Sequence, residues 1–332
     1  MPSPTTSSIT PSHTIAGGRI TLHGSGFTVG PTIPAVHVGS SPARVVFASP
    51  NELGLIVSSA DSGLLPVRVD GAEGACLVDV GTPLATGLHQ VDNPVFDAYG
   101  NLYVTYSGTR GHQVPVSIFK VTPAGSRESF SSSVTNPTSL AFNPDGALFV
   151  SSRFEGAVYR LDDDGSAEVF ASDLGIACGL AFAPDGTLFV GDRSGTVFEV
   201  ARNGSARTFA TLPPSVAAFH MTLGPDGLYV TAPTLSATDA IYRITFTGEV
   251  SIVHRGFGRP QGIAWAPDGT LFVVEALAGV SGLYRVAAGA APELMVSGPK
   301  LVGVAIDPAG DIVLCTSDTA YRFASPLNAR TL

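Results

Sequence analysis

A short phrase in which a proline turn separates two apolar stretches recurs along the chain. It reads CGLAFAPDGTLFVGD at residues 178–192, LAFNPDGALFVSS at residues 140–152 and IAWAPDGTLFVVE at residues 263–275. The glycine that ends the turn occurs six times, at Gly100, Gly146, Gly186, Gly227, Gly269 and Gly310. A period of about 40 residues with four short strand-like segments in each copy is typical of a β-propeller blade. The sequence therefore predicts a six-bladed β-propeller.

The repeated turn has a structural explanation. Proline presets the backbone for the second position of a type I turn, aspartate tolerates the next position, and glycine adopts the left-handed conformation that closes a hairpin. The apolar triplets on either side of the turn are expected to pack between neighbouring blades. We therefore interpret the phrase as scaffold and expect function where its copies differ.

The last copy ends one strand short, at residues 320–323. The segment VGTPLATGL, residues 80–88, precedes the first copy in the way that an outer strand precedes the later ones. We predict that it supplies the missing outer strand, which joins the first and last blades and leaves no open edge. No long amphipathic helical pattern occurs, so the predicted fold class is all-β.

Composition limits the function classes. Hydrophobic residues make up 44% of the 332 residues and charged residues 14%, which indicates a packed core. The formal net charge is −9 and no basic run occurs, which argues against nucleic acid as a partner. The sequence predicts no membrane span and, as it stands, no signal peptide. Cys76, Cys178 and Cys315 have no metal-ligand spacing and are interpreted as small apolar residues.

The first part of the chain lacks the repeat and alternates strand and turn signals at the spacing of a β-sandwich. We predict a flexible tail at residues 1–8, a sandwich at residues 9–77, the propeller at residues 78–325 and a second tail at residues 326–332. The sandwich segment resembles the immunoglobulin-like IPT/TIG domain in the pieces ITPS, GGRITLHGSGF, VHVGSSPA and GLLPVRV. Such domains occur on cell-surface proteins and extracellular enzymes, so the resemblance implies a secreted, periplasmic or cell-surface protein.

The repeats resemble the NHL type of six-bladed propeller, an architecture that gluconolactonase-like enzymes share. That resemblance implies a divalent cation (Ca, Zn or Mg) at the channel mouth. It also implies an acidic ligand just before a Val-aromatic pair in the first blade, and DNPVFD places Asp92 there. The later ligands of that family would fall near Phe219, His220 and Gln261.

The candidate site follows from blade geometry. The first strand of each blade is the inner strand, and the proline turn joins it to the second strand. If these turns lie on one face, the starts of the inner strands and the ends of the second strands meet at the opposite mouth of the channel. All four propeller histidines fall on or near that face: His89, His112, His220 and His254. We predict Asp92, His220 and Glu275 as metal ligands, with His220 or Glu275 as a catalytic base and Arg153 and Arg193 orienting an anionic substrate. The predicted ligand-binding residues are Asn93, His112, Asp192 and Gln261.

Two functions fit these residues. The first is an extracellular or cell-surface module, expected to be monomeric, that binds a small molecule, a carbohydrate or a protein at the mouth. The second is a metal-assisted hydrolase or lyase that uses the same mouth. A structural alternative is that the polar residues only solvate the channel end and pair locally, Asp192 with Arg193 and Arg153 with Glu155.

Overall fold

The computed structural model describes residues 3–58 and 61–323, and within them every regular element is a β-strand. We find in this part of the chain no helix with the length and hydropathy needed to cross a bilayer. The predicted tail at residues 326–332 lies outside the described residues. The all-β prediction is confirmed.

The first strands form a two-layered sandwich. Strand β5 pairs with β4 on one side and with β6 on the other, so it belongs to both layers, β1-β3-β6-β5 and β5-β4-β7-β8. Alternation in β3 turns Ile20 and Leu22 inward, against Leu53 and Leu55. The strands are β1 (Thr5–Thr10), β2 (His13–Thr14), β3 (Arg19–Ser25), β4 (Val36–Val38), β5 (Ser41–Ala48), β6 (Glu52–Ile56), β7 (Gly63–Val69) and β8 (Cys76–Val80). Strand β1 thus begins inside the segment that was expected to be a tail.

The rest of the chain forms a ring of antiparallel units in which the first strand of each unit faces the channel. After β9 (Thr82–Thr86), the first three units are β10 (Val95–Phe96), β11 (Leu102–Thr105), β12 (Ile118–Val121) and β13 (Arg127–Ser131); β14 (Pro137–Phe142), β15 (Leu148–Ser152), β16 (Ala157–Leu161) and β17 (Ala167–Ala171); β18 (Ala177–Phe182), β19 (Leu188–Asp192), β20 (Thr196–Val200) and β21 (Ala206–Thr211).

The last three units continue the ring. They are β22 (His220–Gly224), β23 (Gly227–Thr231), β24 (Asp239–Ile244) and β25 (Val250–Phe257); β26 (Pro260–Trp265), β27 (Leu271–Glu275), β28 (Gly282–Val286) and β29 (Glu293–Ser297); β30 (Leu301–Ile306), β31 (Ile312–Thr316) and β32 (Thr319–Arg322). Each inner strand contacts the next around the ring, and the last contacts the first. Their order is β10, β14, β18, β22, β26 and β30.

The predicted count of six blades is wrong. Within the described residues, five four-stranded sheets stand alone, whereas β26–β29 belong to a 12-stranded sheet that continues into the sandwich. The reason is β2, which pairs in parallel with β29 on one side and with β8 on the other. The side chains of Thr14 and Ser297 hydrogen-bond across this joint, 2.8 Å apart, and both are buried. The sandwich is therefore held against the propeller by a shared sheet.

Ring closure occurs as predicted. Strand β9 pairs antiparallel with β32, with Thr86 opposite Thr319 and Thr82 opposite Arg322. The last sheet is consequently β30-β31-β32-β9, built from both ends of the propeller segment. The proline turns also behave as expected: Gly186 has a φ of +86°, and the Asp185 carboxylate accepts the backbone N–H of Thr187 at 2.9 Å. The carboxylate of this turn thus has a local structural role.

Candidate functional site

A cavity of about 280 Å³ lies at the channel end opposite the proline turns. Its walls come from the starts of inner strands and from the segments that precede inner strands or follow second strands. These residues are His89, Gln90, Val91, Thr138, Arg153, Cys178, Arg193, Val216, Ala217, Ala218, Gln261, Val302 and Ser317. Arg153, Arg193 and Gln261 from the predicted set meet here. The cavity lies at the small end of the usual range for ligand pockets, about 300–1,000 Å³.

The cavity is cationic because of two half-buried arginines from neighbouring units. Among the described residues no ion pair involves Arg153 or Arg193, and the Nε atom of each is buried without a hydrogen-bond partner. Arg193 donates from Nη2 to the backbone carbonyl of Val216 at 3.2 Å. Burial lowers the pKa of Arg153 below its usual value, and the charges of Arg193 and Arg110 lower it further. Neither guanidinium forms the predicted local pair: Glu155 accepts the Tyr159 hydroxyl at 2.8 Å, and Asp192 accepts the backbone N–H of Ile176 at 2.7 Å.

His89 adds a third basic group to the wall. Its ring packs edge-on against Tyr106, with centroids 6.0 Å apart. Burial lowers the pKa of His89 below 6.5, and the charge of Arg153 contributes in the same direction. The imidazole is therefore neutral at neutral pH and able to gain a proton when an anion approaches.

Several lining residues are apolar. Val216, Ala217 and Ala218 line the cavity from the connection into β22, and Val302 lines it from β30. Cys178 is also buried in the lining, and burial raises the pKa of its thiol to about 12, so it remains uncharged. Among the described residues that line the cavity there is no Asp or Glu. The lining thus combines basic and apolar residues and has no described acidic one.

Hydrogen bonds among three buried polar residues lie next to the mouth cavity. His220 donates from Nδ1 to Asp92 Oδ1 over 2.5 Å, and its Nε2 lies 3.0 Å from Gln261 Oε1. Asp92 also accepts the backbone N–H of Asn93 at 2.7 Å. Val91 lines the mouth cavity, and Asn93 lines a second cavity of about 290 Å³ toward the proline turns. Asp92 therefore lies between the two cavities.

In two units the residue that ends the second strand accepts hydrogen bonds from the segment that enters an inner strand. Asp192 accepts the backbone N–H of Ile176 at 2.7 Å and the hydroxyl of Ser194. Glu275 accepts three backbone N–H groups, from Gly258 at 2.6 Å, Arg259 at 2.8 Å and Leu277 at 2.6 Å. Both carboxylates are buried and fully used in these contacts. Neither lines the cavity, so the predicted base or metal ligand Glu275 and the predicted ligand-binding residue Asp192 have structural contacts instead.

The predicted metal ligands do not form a metal site. No group of three or more His, Cys, Asp or Glu side chains in residues 3–58 and 61–323 is arranged to hold a metal ion. Asp92 and His220 are hydrogen-bonded to each other, and the Glu275 carboxylate accepts hydrogen bonds from backbone N–H groups. The donor set that the family resemblance implied for a divalent cation is therefore absent from this part of the chain.

Two predicted ligand-binding residues lie away from the cavity. The Asn93 amide donates to the carbonyl of Ile263 at 2.9 Å and accepts the N–H of Val304 at 3.0 Å, which ties the first unit to β26 and β30. His112 is exposed in the loop between β11 and β12. Of the other histidines grouped by sequence, His254 lies on the outer strand β25.

Sequence reasoning missed part of the wall. His89 was noted only as one of four histidines on a face, and the apolar stretch at residues 216–218 was not singled out. His89 and residues 216–218 each lie a few residues before an inner strand, in a segment that connects two blades. Such loops on a rigid scaffold often carry binding groups. Reading these segments together with the inner-strand starts would have located the complete wall.

Comparison with known families identifies the first domain. Residues 4–82 match the family model of the IPT/TIG domain. This agrees with the sandwich of strands β1 to β8 and confirms the resemblance seen in its sequence. A search of curated proteins finds no match.

Solved structures with the same architecture include both binding proteins and enzymes. An auxiliary nutrient binding protein from Bacteroides ovatus is 15% identical, with a TM-score of 0.55 over 97% of this chain and 98% of that one. A structure described as a gluconolactonase is 15% identical, with a TM-score of 0.56 over 74% and 92%. A virginiamycin B lyase from Staphylococcus aureus is 15% identical, with a TM-score of 0.53 over 86% and 94%. At these identities the likeness shows the fold alone, and the IPT/TIG assignment of the sandwich rests on the family model.

Proposed function

We propose that this chain is a binding protein whose propeller holds a small ligand in the cavity at the mouth opposite the proline turns. One observation carries the proposal: Arg153 and Arg193 line one cavity, and no described lining residue of that cavity is acidic. Placing two cations side by side without counter-charges is unfavourable for folding. Such an arrangement is retained where a ligand uses it.

The buried polar chain between the two cavities supports binding. The hydrogen bonds from Asp92 through His220 to Gln261 cross the channel between the mouth and the second cavity. The description of the Bacteroides ovatus structure as an auxiliary nutrient binding protein agrees with such a role. No observation in the described residues favours the metal-assisted alternative, because its ligands are used in other contacts.

The location and organisation of the protein are part of the same proposal. We place it outside the cytoplasm, as a secreted, periplasmic or cell-surface protein, on the basis of its IPT/TIG domain and its nutrient-binding neighbours. It acts as a monomer with a sandwich at residues 9–77 and an NHL-type propeller at residues 78–325. Fractionation of cells that express the native protein tests the location, and light scattering tests the monomer.

A thermal-shift screen tests ligand binding. The full chain is screened against a library of sugars, sugar acids, carboxylates, amino acids and nucleosides, in parallel with Ala217→Trp, which fills the cavity with an indole. Ala237→Trp is the matched control, because Ala237 is exposed on a loop outside the cavity lining. We expect compounds that stabilise the native protein and the control but not Ala217→Trp. Equal stabilisation of all three proteins, or of none, would contradict a mouth site.

A further inference from the structure

We infer that the mouth cavity selects an organic anion with a carboxylate at one end and a short apolar body. This inference rests on the proposed function and names its ligand class. The lining combines the guanidiniums of Arg153 and Arg193 with the apolar side chains of residues 216–218 and Val302, so a ligand with both a carboxylate and an apolar body finds partners for each.

The two guanidiniums of the lining match a carboxylate. A guanidinium offers planar, paired N–H donors that fit two carboxylate oxygens, and Arg153 has no acceptor among the described residues. Arg193 uses only Nη2, in its bond to the carbonyl of Val216. Gln261 also lines the cavity, and its Oε1 lies 3.0 Å from His220 Nε2. The two guanidiniums, from neighbouring units, thus present donors to the same space.

The apolar residues of the lining limit the rest of the ligand. The side chains of residues 216–218 and Val302 offer only aliphatic groups to the cavity. A polyhydroxylated body would leave hydroxyl groups unpaired where it meets these side chains, which is costly. Since the volume is about 280 Å³, the body is a short aliphatic chain or a single ring.

Isothermal titration calorimetry with matched probes tests the inference. The probes are hexanoate, hexanamide (the same body without charge), hexylamine (the opposite charge), acetate (the charge without the body) and inorganic phosphate. We expect hexanoate to bind at least about tenfold more tightly than hexanamide, acetate or phosphate, and hexylamine not to bind.

Substitutions test which residues contact the carboxylate and which contact the apolar body of the ligand. Arg153→Gln and Arg193→Gln should each weaken hexanoate about tenfold or more, and Arg153→Lys should weaken it less. Val216→Thr should weaken hexanoate but not acetate, since it changes the side chain and keeps the carbonyl that accepts from Arg193. Arg202→Gln is the matched control, because Arg202 is exposed and pairs with Asp145 at 3.8 Å on the proline-turn side. Far-ultraviolet circular dichroism and the melting temperature confirm that each variant is folded.

The outcomes separate the two proposals. Equal binding of hexanoate and hexanamide, or hexanoate binding that survives both arginine substitutions, overturns the ligand class. If only neutral compounds bind, and Ala217→Trp abolishes their binding, the ligand class falls while the mouth site stands. If no compound of the screen binds and hexanoate fails at 10 mM, both proposals fall.

Discussion

The hydrogen bond from His220 Nδ1 to Asp92 Oδ1, 2.5 Å long, joins units on opposite sides of the channel. His220 begins β22, and Asp92 precedes β10, three units away around the ring in either direction. The exposed fraction of each side chain is 2% or less. This buried pair is therefore a cross-brace of the propeller next to its mouth cavity.

Removing one partner should destabilise the protein strongly. Asp92→Ala and His220→Ala are each expected to lower the free energy of unfolding by about 3–5 kcal/mol, because the remaining group stays buried without its partner. The double variant should cost less than the sum of the two single changes. Urea unfolding monitored by fluorescence measures all four proteins. Additive effects would show that the two side chains do not interact.

Asn93 should behave as a structural residue. Asn93→Ala leaves the carbonyl of Ile263 and the N–H of Val304 without their partner, at a cost of about 1–3 kcal/mol for each group. Asn203→Ala is the control, since Asn203 bonds only to Ser205 on an exposed turn. Urea unfolding should separate the two variants, whereas ligand affinity should stay the same in any Asn93 variant that remains folded.

Glu275 should also act on stability rather than on chemistry. Glu275→Gln leaves one amide oxygen for three backbone donors, so the loop segments at residues 258–259 and 277 lose their brace. We expect the free energy of unfolding to fall by about 2 kcal/mol or more. Glu249→Gln, on an exposed turn, should have little effect. A loss of bound divalent cation in Glu275→Gln, measured by elemental analysis, would instead support the metal interpretation.

The pKa of His89 predicts how binding depends on pH. Burial, followed by the charge of Arg153, lowers this pKa below 6.5, so the ring is neutral at about pH 7.5. A bound carboxylate favours the charged ring, and hexanoate affinity should therefore rise as the pH falls from about 7.5 to about 5.5. His89→Gln should flatten this dependence.

The same shift affects the protein without ligand. Because the unfolded chain takes up the proton first, the contribution of His89 to stability is lost as the pH falls below 6.5. Nuclear magnetic resonance titration should show a higher pKa of His89 in Arg153→Gln than in the native protein. An unchanged value would mean that the guanidinium does not act on this ring.

Much of the fold could be predicted because it depends on local chemistry. The turn that ends at Gly186 needs a residue in the left-handed conformation and a carboxylate that accepts a backbone N–H of the same turn. Both requirements are visible in the sequence. The closing strand β9 could also be predicted, since the last unit lacked a partner. Strand β2 could not, because two residues carry no periodicity.

The candidate site was harder to predict because adjacent residues of an extended chain face opposite sides. Asp192 ends β19 and braces the chain, whereas Arg193, one position later, faces the cavity. Sequence alone marks both as polar residues at the mouth. Which of them meets a ligand depends on the contacts that Asp192 makes with the segment entering β18, and those contacts are not visible in the pattern.

Strand β9 has a consequence for how the protein is made. It leaves the ribosome directly after the sandwich, but its partner β32 is among the last segments to be translated. Until then β9 is an unpaired edge, and most of the chain must emerge before the propeller can close. A nascent chain stalled before Thr319 therefore exposes a free strand, so this protein is expected to depend on holdase chaperones until its synthesis is complete.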